Sequence, residues 1–151
     1  MNPLHRFGYM SLRAWWWITR PQSAGVRVLI ERDGQVLLVK HTYRPDWHMP
    51  GGGADRGETL EQAARREALE EVGATLGPVT LLGVYSNFWN RRTDHVAVFI
   101  CNELEVSGEH DWEIAELRWF PLAALPSDLS PGTSRRLAEY KAGERPGFGR
   151  W

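Results

Sequence analysis

Residues 52–74 read GGADRGETLEQAARREALEEVGA and are the most informative part of the chain. The stretch opens with glycine-rich sequence and continues into a predicted helix. Thr59 predicts the start of this helix, because its hydroxyl can accept a backbone hydrogen bond while Gln62, three residues later, completes a capping-box pattern. Gly73 predicts the end, because glycine readily adopts the left-handed conformation that terminates a helix.

Three glutamates of this helix share one face. At 100° per residue, Glu67, Glu70 and Glu71 fall within an arc of about 100°. An acidic face is usually solvated and lies opposite the apolar residues. The apolar stripe here consists of Leu60, Ala64, Ala68 and Val72. Glu67 and Glu71 point towards this stripe, and a carboxylate directed towards a core is costly unless a cation neutralises it.

The residue types around the helix narrow the identity of that cation. Arg66 can pair with Glu70, four residues away, but one arginine cannot balance three carboxylates. Oxygen ligands without histidine or cysteine at metal spacing favour Mg²⁺, or Mn²⁺, over Zn²⁺. Glycines at 51–53 let backbone groups approach a ligand closely, and a nearby helix N-terminus favours anions. The pattern therefore predicts a Mg²⁺ site that handles phosphate groups.

The same stretch resembles a known family signature. Its spacing is similar to the complete Nudix box, with the fixed positions at Gly52, Glu58, Arg66, Glu67, Glu70, Glu71 and Gly73. Two positions at which that signature expects a bulky aliphatic residue hold Ala68 and Ala74. Segments 47–52 and 113–121 also resemble the family, so the similarity spans most of residues 24–126. The resemblance implies an α/β fold, an α/β/α sandwich around a mixed β-sheet with the box as a loop-helix-loop.

The resemblance also implies roles for the residues of the box. The metal ligands would be Glu67, Glu70 and Glu71, with the carbonyl of Gly52 as a further candidate. Glu58 and Arg66 would support them, Arg66 by holding a carboxylate in place. The implied reaction is attack of water on one phosphorus of a diphosphate linkage, with the metal activating the water.

A general base is expected either within the box or in a later loop, since both arrangements occur among Nudix enzymes. Glu113 is our candidate outside the box, with Asp111 and Glu116 as alternatives. The competing interpretation is that Glu113 is an ordinary loop carboxylate. The residues expected to take part in catalysis are therefore Glu67, Glu70, Arg66 and Glu113.

Substrate contacts are expected from side chains near the ends of strands. Arg44 can meet a phosphate through a charge-assisted hydrogen bond. Tyr85 and Trp89, together with Phe88, can stack on a nucleobase, although aromatic residues in such positions more often pack in a core. Arg91, followed by Arg92, can hold a distal phosphate. His48 and His95 are interpreted as structural, because neither has a partner at metal spacing.

The 151 residues predict a single domain. Residues 1–23 are expected to form an N-terminal extension packed on it, and 24–142 to form the domain. For the Trp15–Trp17 cluster, packing over a sheet edge is favoured, with a dimer contact or a lid over the pocket as alternatives. Residues 143–151 are expected to be an irregular C-terminal tail. Alternating apolar residues and turn signals predict strands at 25–30, 36–39, 47–49, 79–85, 95–102 and 117–120, and a second helix at 134–141.

The composition excludes several classes of protein. A net charge of -1 does not provide the basic surface of a DNA-binding protein, so the expected partner is a small nucleotide. Cys101, the only cysteine, cannot form an intrachain disulfide and lies in an apolar run, which predicts burial. No apolar stretch is long enough to span a membrane, and the N-terminus lacks the features of a signal peptide, which together indicate a cytoplasmic enzyme. A homodimer remains a candidate assembly.

The favoured function is hydrolysis of a nucleoside di- or triphosphate derivative. Three alternatives stay open at this point: a Nudix module that binds nucleotides without catalysis, an isomerase of prenyl diphosphates and an RNA 5′-end pyrophosphohydrolase. The first would be expected to lack box carboxylates, the second to place a cysteine in a pocket, and the third to carry a basic surface. The sequence does not distinguish among nucleoside triphosphates, dinucleoside polyphosphates, NDP-sugars and ADP-ribose.

Overall fold

The structure, a computed structural model, describes residues 22–89, 92–106, 111–144 and 147–151. In chain order the elements are β1 (Gln22–Arg32), β2 (Gln35–His41), β3 (Trp47–His48), α1 (Leu60–Val72), β4 (Ala74–Leu76), β5 (Val79–Trp89), β6 (Arg92–Cys101), β7 (Leu104–Val106), β8 (Ile114–Pro121), α2 (Pro131–Ala142) and β9 (Gly147–Arg150). The predicted roles of Arg91 and of the Trp15–Trp17 cluster fall outside the described residues.

The described strands form one large mixed sheet and one small hairpin-like pair. Seven strands of the described ranges pair in the order β3-β2-β1-β6-β5-β9, with β8 on the other edge of β2. Strand β1 pairs antiparallel with β2 and parallel with β6, so it occupies the centre. The turn between β1 and β2 has positive φ at Asp33 and Gly34, as its Asp-Gly sequence predicts for a tight hairpin. The predicted mixed sheet is confirmed.

The two helices cover opposite faces of this sheet. Helix α1 buries Ala63, Ala64, Ala68 and Val72 in a core that includes Val26, Val28 and Ile30 of β1. Helix α2 contributes Leu137 to a second core, which includes Leu29 of β1. Because successive side chains of a strand point to opposite faces, β1 supplies both cores. This is the predicted α/β/α sandwich, and Cys101 is buried within the first core as expected.

The boundaries of α1 match the prediction. The Thr59 hydroxyl accepts a hydrogen bond from the Gln62 backbone N–H at 3.2 Å, and the Gln62 side chain accepts one from the Thr59 N–H at 2.8 Å. Gly73 ends the helix with φ of 62°, in the left-handed region. Both ends are thus set by local sequence, and they place the glutamates of α1 next to the glycine-rich loop.

The C-terminal tail was expected to be irregular, and this expectation is wrong. Residues Gly147–Arg150 form β9, which pairs in parallel with β5 at the edge of the sheet. Glycines at alternate positions weaken any strand signal in the sequence, and only the free edge of β5 supplies the partner. The short antiparallel pair β4 and β7 was also not predicted, since each strand is only three residues long.

Within the described part of the chain, we find no helix that combines the length and the apolar character needed to cross a membrane.

Candidate active site

The glycine-rich loop is built into the sheet. The carbonyls of Pro50 and Gly52 each accept a hydrogen bond at 2.8 Å from β1, from the N–H groups of Val28 and Val26 respectively. Gly51 has φ of 134°, and a Cβ at this position would overlap the backbone of Val26. Only glycine satisfies both conditions. The loop is therefore held rigidly against the central strand rather than hanging from the surface.

Glu67 lies directly over this loop. A Cβ on Gly52 would collide with the Glu67 carboxylate, so the absence of a side chain at 52 makes room for that group. The side chain of Glu67 is only 13% exposed. Burial, and then the negative charges of Glu71 and Glu70, raise the pKa of Glu67 above its ordinary value, while Arg66 opposes the shift. Glu67 is thus a carboxylate that lacks sufficient positive charge around it.

Arg66 is the cation that the protein itself supplies. Its guanidinium contacts Glu58 at 3.0 Å, Glu67 at 2.8 Å and Glu70 at 3.1 Å, and it donates to the Gly53 carbonyl at 2.9 Å. These contacts raise the pKa of Arg66, and its hydrogen bond lowers the pKa of Glu58. One guanidinium thus contacts three carboxylates and the loop, and the supporting role of Arg66 in catalysis stays a prediction.

Glu71 is held from two other directions. One carboxylate oxygen lies 2.9 Å from Nε2 of His41, and the other accepts the Gly51 backbone N–H at 2.8 Å. The guanidinium of Arg27 donates to the carbonyls of Met49, at 3.2 Å, and of Gly51. Burial lowers the pKa of Arg27, whereas the charges of Glu71 and Glu67 act in the opposite direction. The loop and the carboxylate are therefore ordered together.

The donor set fits a hard divalent cation. Glu67 and Glu70 contact the same nitrogen of Arg66, so the two carboxylates already share one positive group. Glu70 is half exposed, and among the described residues no three acidic, histidine or cysteine side chains are already grouped as a metal centre. The carbonyl of Gly52 accepts the Val26 N–H, which occupies one of its two lone pairs. Oxygen donors of this kind suit Mg²⁺ or Mn²⁺.

The loop that carries the predicted general base borders the site. The backbone N–H of Asp111 donates to the Glu70 carbonyl at 2.9 Å, and the carbonyl of Glu113 accepts the Thr42 N–H at 2.9 Å. Glu113 is exposed, so its carboxylate is accessible to water. Glu116 instead pairs with Arg118 at 3.1 Å on β8. Glu113 and Asp111 thus lie at the edge of the site, and the choice of base stays a prediction.

The candidate substrate residues are dispersed. Arg44 is exposed just beyond β2, where its charge acts on both Arg27 and His48. Tyr85 is 1% exposed, donates to Glu139 at 2.6 Å and carries the Arg136 guanidinium 3.6 Å from its ring centre. This placement does not support the predicted stacking role, because the ring is enclosed in the core beneath α2.

The remaining aromatic candidates lie towards the end of β5. Phe88 is 59% exposed, with the Arg150 guanidinium 5.5 Å from its ring centre, and Trp89 is the last residue of the strand. His95 contacts the Ser86 hydroxyl at 3.1 Å, and His48 lies 3.1 Å from Asp46. His95 thus has a local hydrogen-bond partner, whereas the buried Nε2 of His48 forms no hydrogen bond within the described residues despite its closeness to Asp46.

Sequence reasoning missed two residues of the site, Arg27 and His41. Arg27 stands between valines in a strand that reads as core, and an arginine within such a strand needs internal partners. That signal was available. His41 gave no comparable signal, because it ends β2 next to exposed residues and its partner Glu71 is distant in sequence.

Comparisons with known proteins agree with this geometry. A family model described as NUDIX domain matches residues 19–140. The chain is 34% identical over 122 residues to the Bacillus subtilis protein named "Putative 8-oxo-dGTP diphosphatase", covering 81% of this chain and 80% of that protein. It is 32% identical over 124 residues to an RNA pyrophosphohydrolase of Aeromonas hydrophila, covering 82% of this chain and 64% of the relative.

A solved structure gives the same result. The MutT NUDIX hydrolase of Burkholderia pseudomallei superimposes with a TM-score of 0.72 at 30% identity, over 78% of this chain and 97% of that one. The matched region contains the glycine-rich loop, the acidic helix and the sheet that holds them. The chain therefore belongs to the Nudix family and is a hydrolase of diphosphate linkages in nucleotides.

Proposed function

We propose that this enzyme is a Mg²⁺-dependent pyrophosphohydrolase that acts on a nucleoside di- or triphosphate derivative, with Mn²⁺ as an alternative cation. Glu67, Glu70 and Glu71 would hold the metal, with the Gly52 carbonyl as a further candidate. Water would attack one phosphorus of the diphosphate linkage. The activity is proposed for the cytoplasm, where a chain with one free, buried cysteine needs no oxidising environment.

The observation that carries the proposal is the charge balance around Glu67. Two carboxylates, Glu67 and Glu71, are each only 13% exposed and lie against the glycine-rich loop, at Gly52 and Gly51 respectively. Arg66 balances part of this charge, but it also serves Glu58 and Glu70. Burial raises the pKa of Glu67, and the charges of Glu71 and Glu70 add to this effect, so a bound cation would be favoured here.

The residues of the chain would perform distinct tasks in the reaction. When bound, the metal supplies a lowered pKa for the attacking water and offsets charge on the leaving phosphate. Arg66 keeps the carboxylates on the loop side of α1. The loop is fixed against β1, and the backbone N–H and C=O groups of its glycines are not shielded by side chains. Glu113 is our candidate to accept the proton of the water from the exposed edge. Arg44 is proposed to hold a substrate phosphate.

The substrate class follows from the chemistry of the linkage and from the relatives. One relative carries the name of an 8-oxo-dGTP diphosphatase and another that of an RNA pyrophosphohydrolase. We favour a small nucleotide, because the net charge of -1 gives little attraction for an RNA backbone. RNA with a 5′-triphosphate remains the second candidate because a relative with that activity in its name covers 82% of this chain.

The test is a substrate panel with matched variants. The panel contains dGTP, 8-oxo-dGTP, ADP-ribose, an NDP-sugar, a dinucleoside polyphosphate and 5′-triphosphate RNA, each with Mg²⁺ and with Mn²⁺, and release of phosphate and pyrophosphate is measured. Glu71→Gln is expected to lower kcat by about 100-fold or more, because several kcal/mol of charge stabilisation depend on the bound metal.

Glu61→Gln is the matched control. Glu61 lies on the same helix but pairs with Arg65 on its exposed side, so its replacement is expected to leave turnover within a factor of two or so. Circular dichroism of both variants checks that they fold. Unchanged turnover in Glu71→Gln would remove that residue from the mechanism, and cleavage of no panel member would contradict the proposed substrate class.

A further inference from the structure

His41 is the most enclosed polar partner of the acidic site. Its ring is 6% exposed, and Nε2 lies 2.9 Å from the Glu71 carboxylate. The other ring nitrogen, Nδ1, has no hydrogen-bond partner among the described residues. Since an ionised carboxylate only accepts hydrogen bonds, the Nε2 proton is donated to Glu71. Among the described residues, the ring of His41 therefore forms a hydrogen bond only with Glu71.

Regular strand geometry directs His41 towards this contact. Successive side chains of a strand alternate between the two faces of the sheet, so His41 lies on the same face of β2 as Leu37, which packs in the core under α1. The register of β2 against β8 shifts between Lys40 and His41, and the extra residue, Ala115, belongs to β8. The shift therefore leaves the alternation along β2 intact, and His41 faces Glu71 of α1.

Packing then holds the imidazole in place. The ring of Tyr43 lies 5.2 Å from that of His41, and the ring of His48 meets it edge-on at 5.6 Å, both measured between centroids. On the opposite side, the second oxygen of Glu71 is held by the Gly51 N–H, and Arg27 secures the Gly51 carbonyl. Both oxygens of Glu71 are therefore fixed by groups that are themselves fixed.

We propose that His41 is a positioning residue for Glu71: its Nε2–H sets the orientation of the carboxylate for a divalent cation. This inference rests on the proposed function, because it takes Glu71 as a metal ligand. Groups that orient a ligand typically contribute about 10- to 100-fold in metal affinity or activity. His41 touches neither water nor substrate in this role and acts only through Glu71.

The test compares the Mn²⁺ affinities of variants. Binding of Mn²⁺ is monitored by electron paramagnetic resonance in the absence of substrate. His41→Leu is expected to weaken Mn²⁺ binding by about 10- to 100-fold, because the carboxylate loses its fixed orientation. His41→Gln, whose terminal amide can place an N–H near the position of Nε2, is expected to restore most of the affinity. His41→Asn, whose shorter side chain cannot reach that position, is expected to resemble His41→Leu.

His95→Leu is the matched control, because His95 bonds to Ser86 instead of to Glu71, and its Mn²⁺ affinity is expected to stay at the wild-type level. With a small nucleotide substrate at saturating metal, His41→Leu is expected to change kcat and to leave the KM for the nucleotide within about twofold. Thermal unfolding confirms that each variant folds. If His41→Leu does not fold, the difference between His41→Gln and His41→Asn carries the test.

The double variant separates this inference from the proposed function. If His41 acts through Glu71, His41→Leu has no further effect on Mn²⁺ affinity in a Glu71→Gln background. Equal losses in both backgrounds would overturn the inference and leave Glu71 as a ligand. Wild-type Mn²⁺ binding by Glu71→Gln would instead refute the role of Glu71 itself. Wild-type binding by His41→Leu, together with weak binding by Glu71→Gln, would overturn the inference alone.

Discussion

The two helices on opposite faces of the sheet are built alike but carry different charge. Each begins at a hydroxyl side chain, Thr59 or Ser130, and each ends at a left-handed glycine, Gly73 or Gly143. Each also directs arginine and glutamate side chains towards the sheet. The local design of the helices therefore does not explain why one face bears the site.

Beneath α2 the charges balance. Arg136 is 3% exposed and contacts Glu139 at 2.6 Å, while the hydroxyl of Tyr85 donates to the same carboxylate at 2.6 Å. One cation meets one anion, and a neutral donor completes the network. Burial and the neighbouring carboxylate raise the pKa of Tyr85 to about 12, so the hydroxyl keeps its proton at neutral pH. The charges of this network are balanced within the protein, although the buried Nε of Arg136 has no hydrogen-bond partner among the described residues.

Beneath α1 the charges do not balance. Two arginines face four carboxylates: Arg66 contacts Glu58, Glu67 and Glu70, while Arg27 interacts through its charge with Glu71 and Glu67 and gives its hydrogen bonds to loop carbonyls. The difference teaches that the presence of buried charge does not by itself mark a functional site. The sign and size of the residual charge do, because a surplus of carboxylates must be neutralised by a proton or by a bound cation.

The largest expected effect is on catalysis. Glu67→Gln should lower kcat by roughly 100-fold or more, since a neutral amide cannot stabilise a divalent cation as a carboxylate does. Glu139→Gln, the same change beneath α2, should leave the kcat of the folded enzyme near the wild-type value. It should lower the free energy of unfolding by about 1–3 kcal/mol, because its charged hydrogen bonds are lost.

Steady-state kinetics, urea unfolding and thermal unfolding, each with Mg²⁺ and with EDTA, check this pair of variants. Mg²⁺ should raise the Tm of the wild type and of Glu139→Gln more than that of Glu67→Gln, because a ligand stabilises the folded state only of a protein that binds it. If Glu139→Gln were as inactive as Glu67→Gln, the conclusion that only the α1 face of the sheet carries the catalytic site would be wrong.

The next effect is on stability. Arg136→Met should lower the free energy of unfolding by about 3 kcal/mol, because it leaves the Glu139 carboxylate without its buried partner. Arg118→Met is the matched control: Arg118 pairs with Glu116, but its side chain is 60% exposed, and less than about 1 kcal/mol is expected. Urea denaturation at neutral pH measures both, and equal losses would show that α2 does not depend on its balanced pair.

The smallest expected effect is on the free energy of unfolding at acidic pH. Burial, and then the charge of Arg27, lower the pKa of His48 from 6.5 to about 4. Between these values the unfolded chain binds a proton that the folded protein does not, so stability falls as the pH falls from 6.5 towards 4. At about 1.4 kcal/mol per pKa unit the full shift corresponds to about 3.5 kcal/mol, and screening by solvent reduces the expected loss to about 2–3 kcal/mol.

Replacing His48 removes this contribution. In His48→Gln the free energy of unfolding should decline less steeply across the same pH range, which urea titrations at several pH values will measure. Since His48 packs against His41, the loss would arise on the α1 side. A variant that keeps the full acid slope of the wild type would show that other groups cause it.

The parts of the molecule that sequence predicted are those with local causes. Thr59, Gln62 and Gly73 set the bounds of α1 through contacts within a few residues, and the helical period then put Glu67 and Glu71 on the inner face. The site glutamates could be predicted because their placement follows from one helix and its known period.

The parts that sequence did not predict depend on distant partners. His41 gains its partner only in the fold, because Glu71 is distant in sequence, and β9 exists only because β5 offers a free edge. Tyr85 was expected to reach the substrate because it ends a predicted strand, yet that strand continues to Trp89 and buries the ring beneath α2. Neither a distant side-chain partner nor a strand end leaves a reliable mark in one sequence.

The central parallel pairing has a consequence for how the enzyme is made. Strand β1 pairs with β6 from Gln22 with Thr93 to Ile30 with Cys101, so the middle of the sheet joins segments that the ribosome delivers far apart in time. The apolar sides of β1, β2 and α1 emerge from the ribosome before β6 does, and such long-range parallel pairing forms slowly. The nascent chain is therefore most prone to aggregation during translation, before its central partner strand has been delivered.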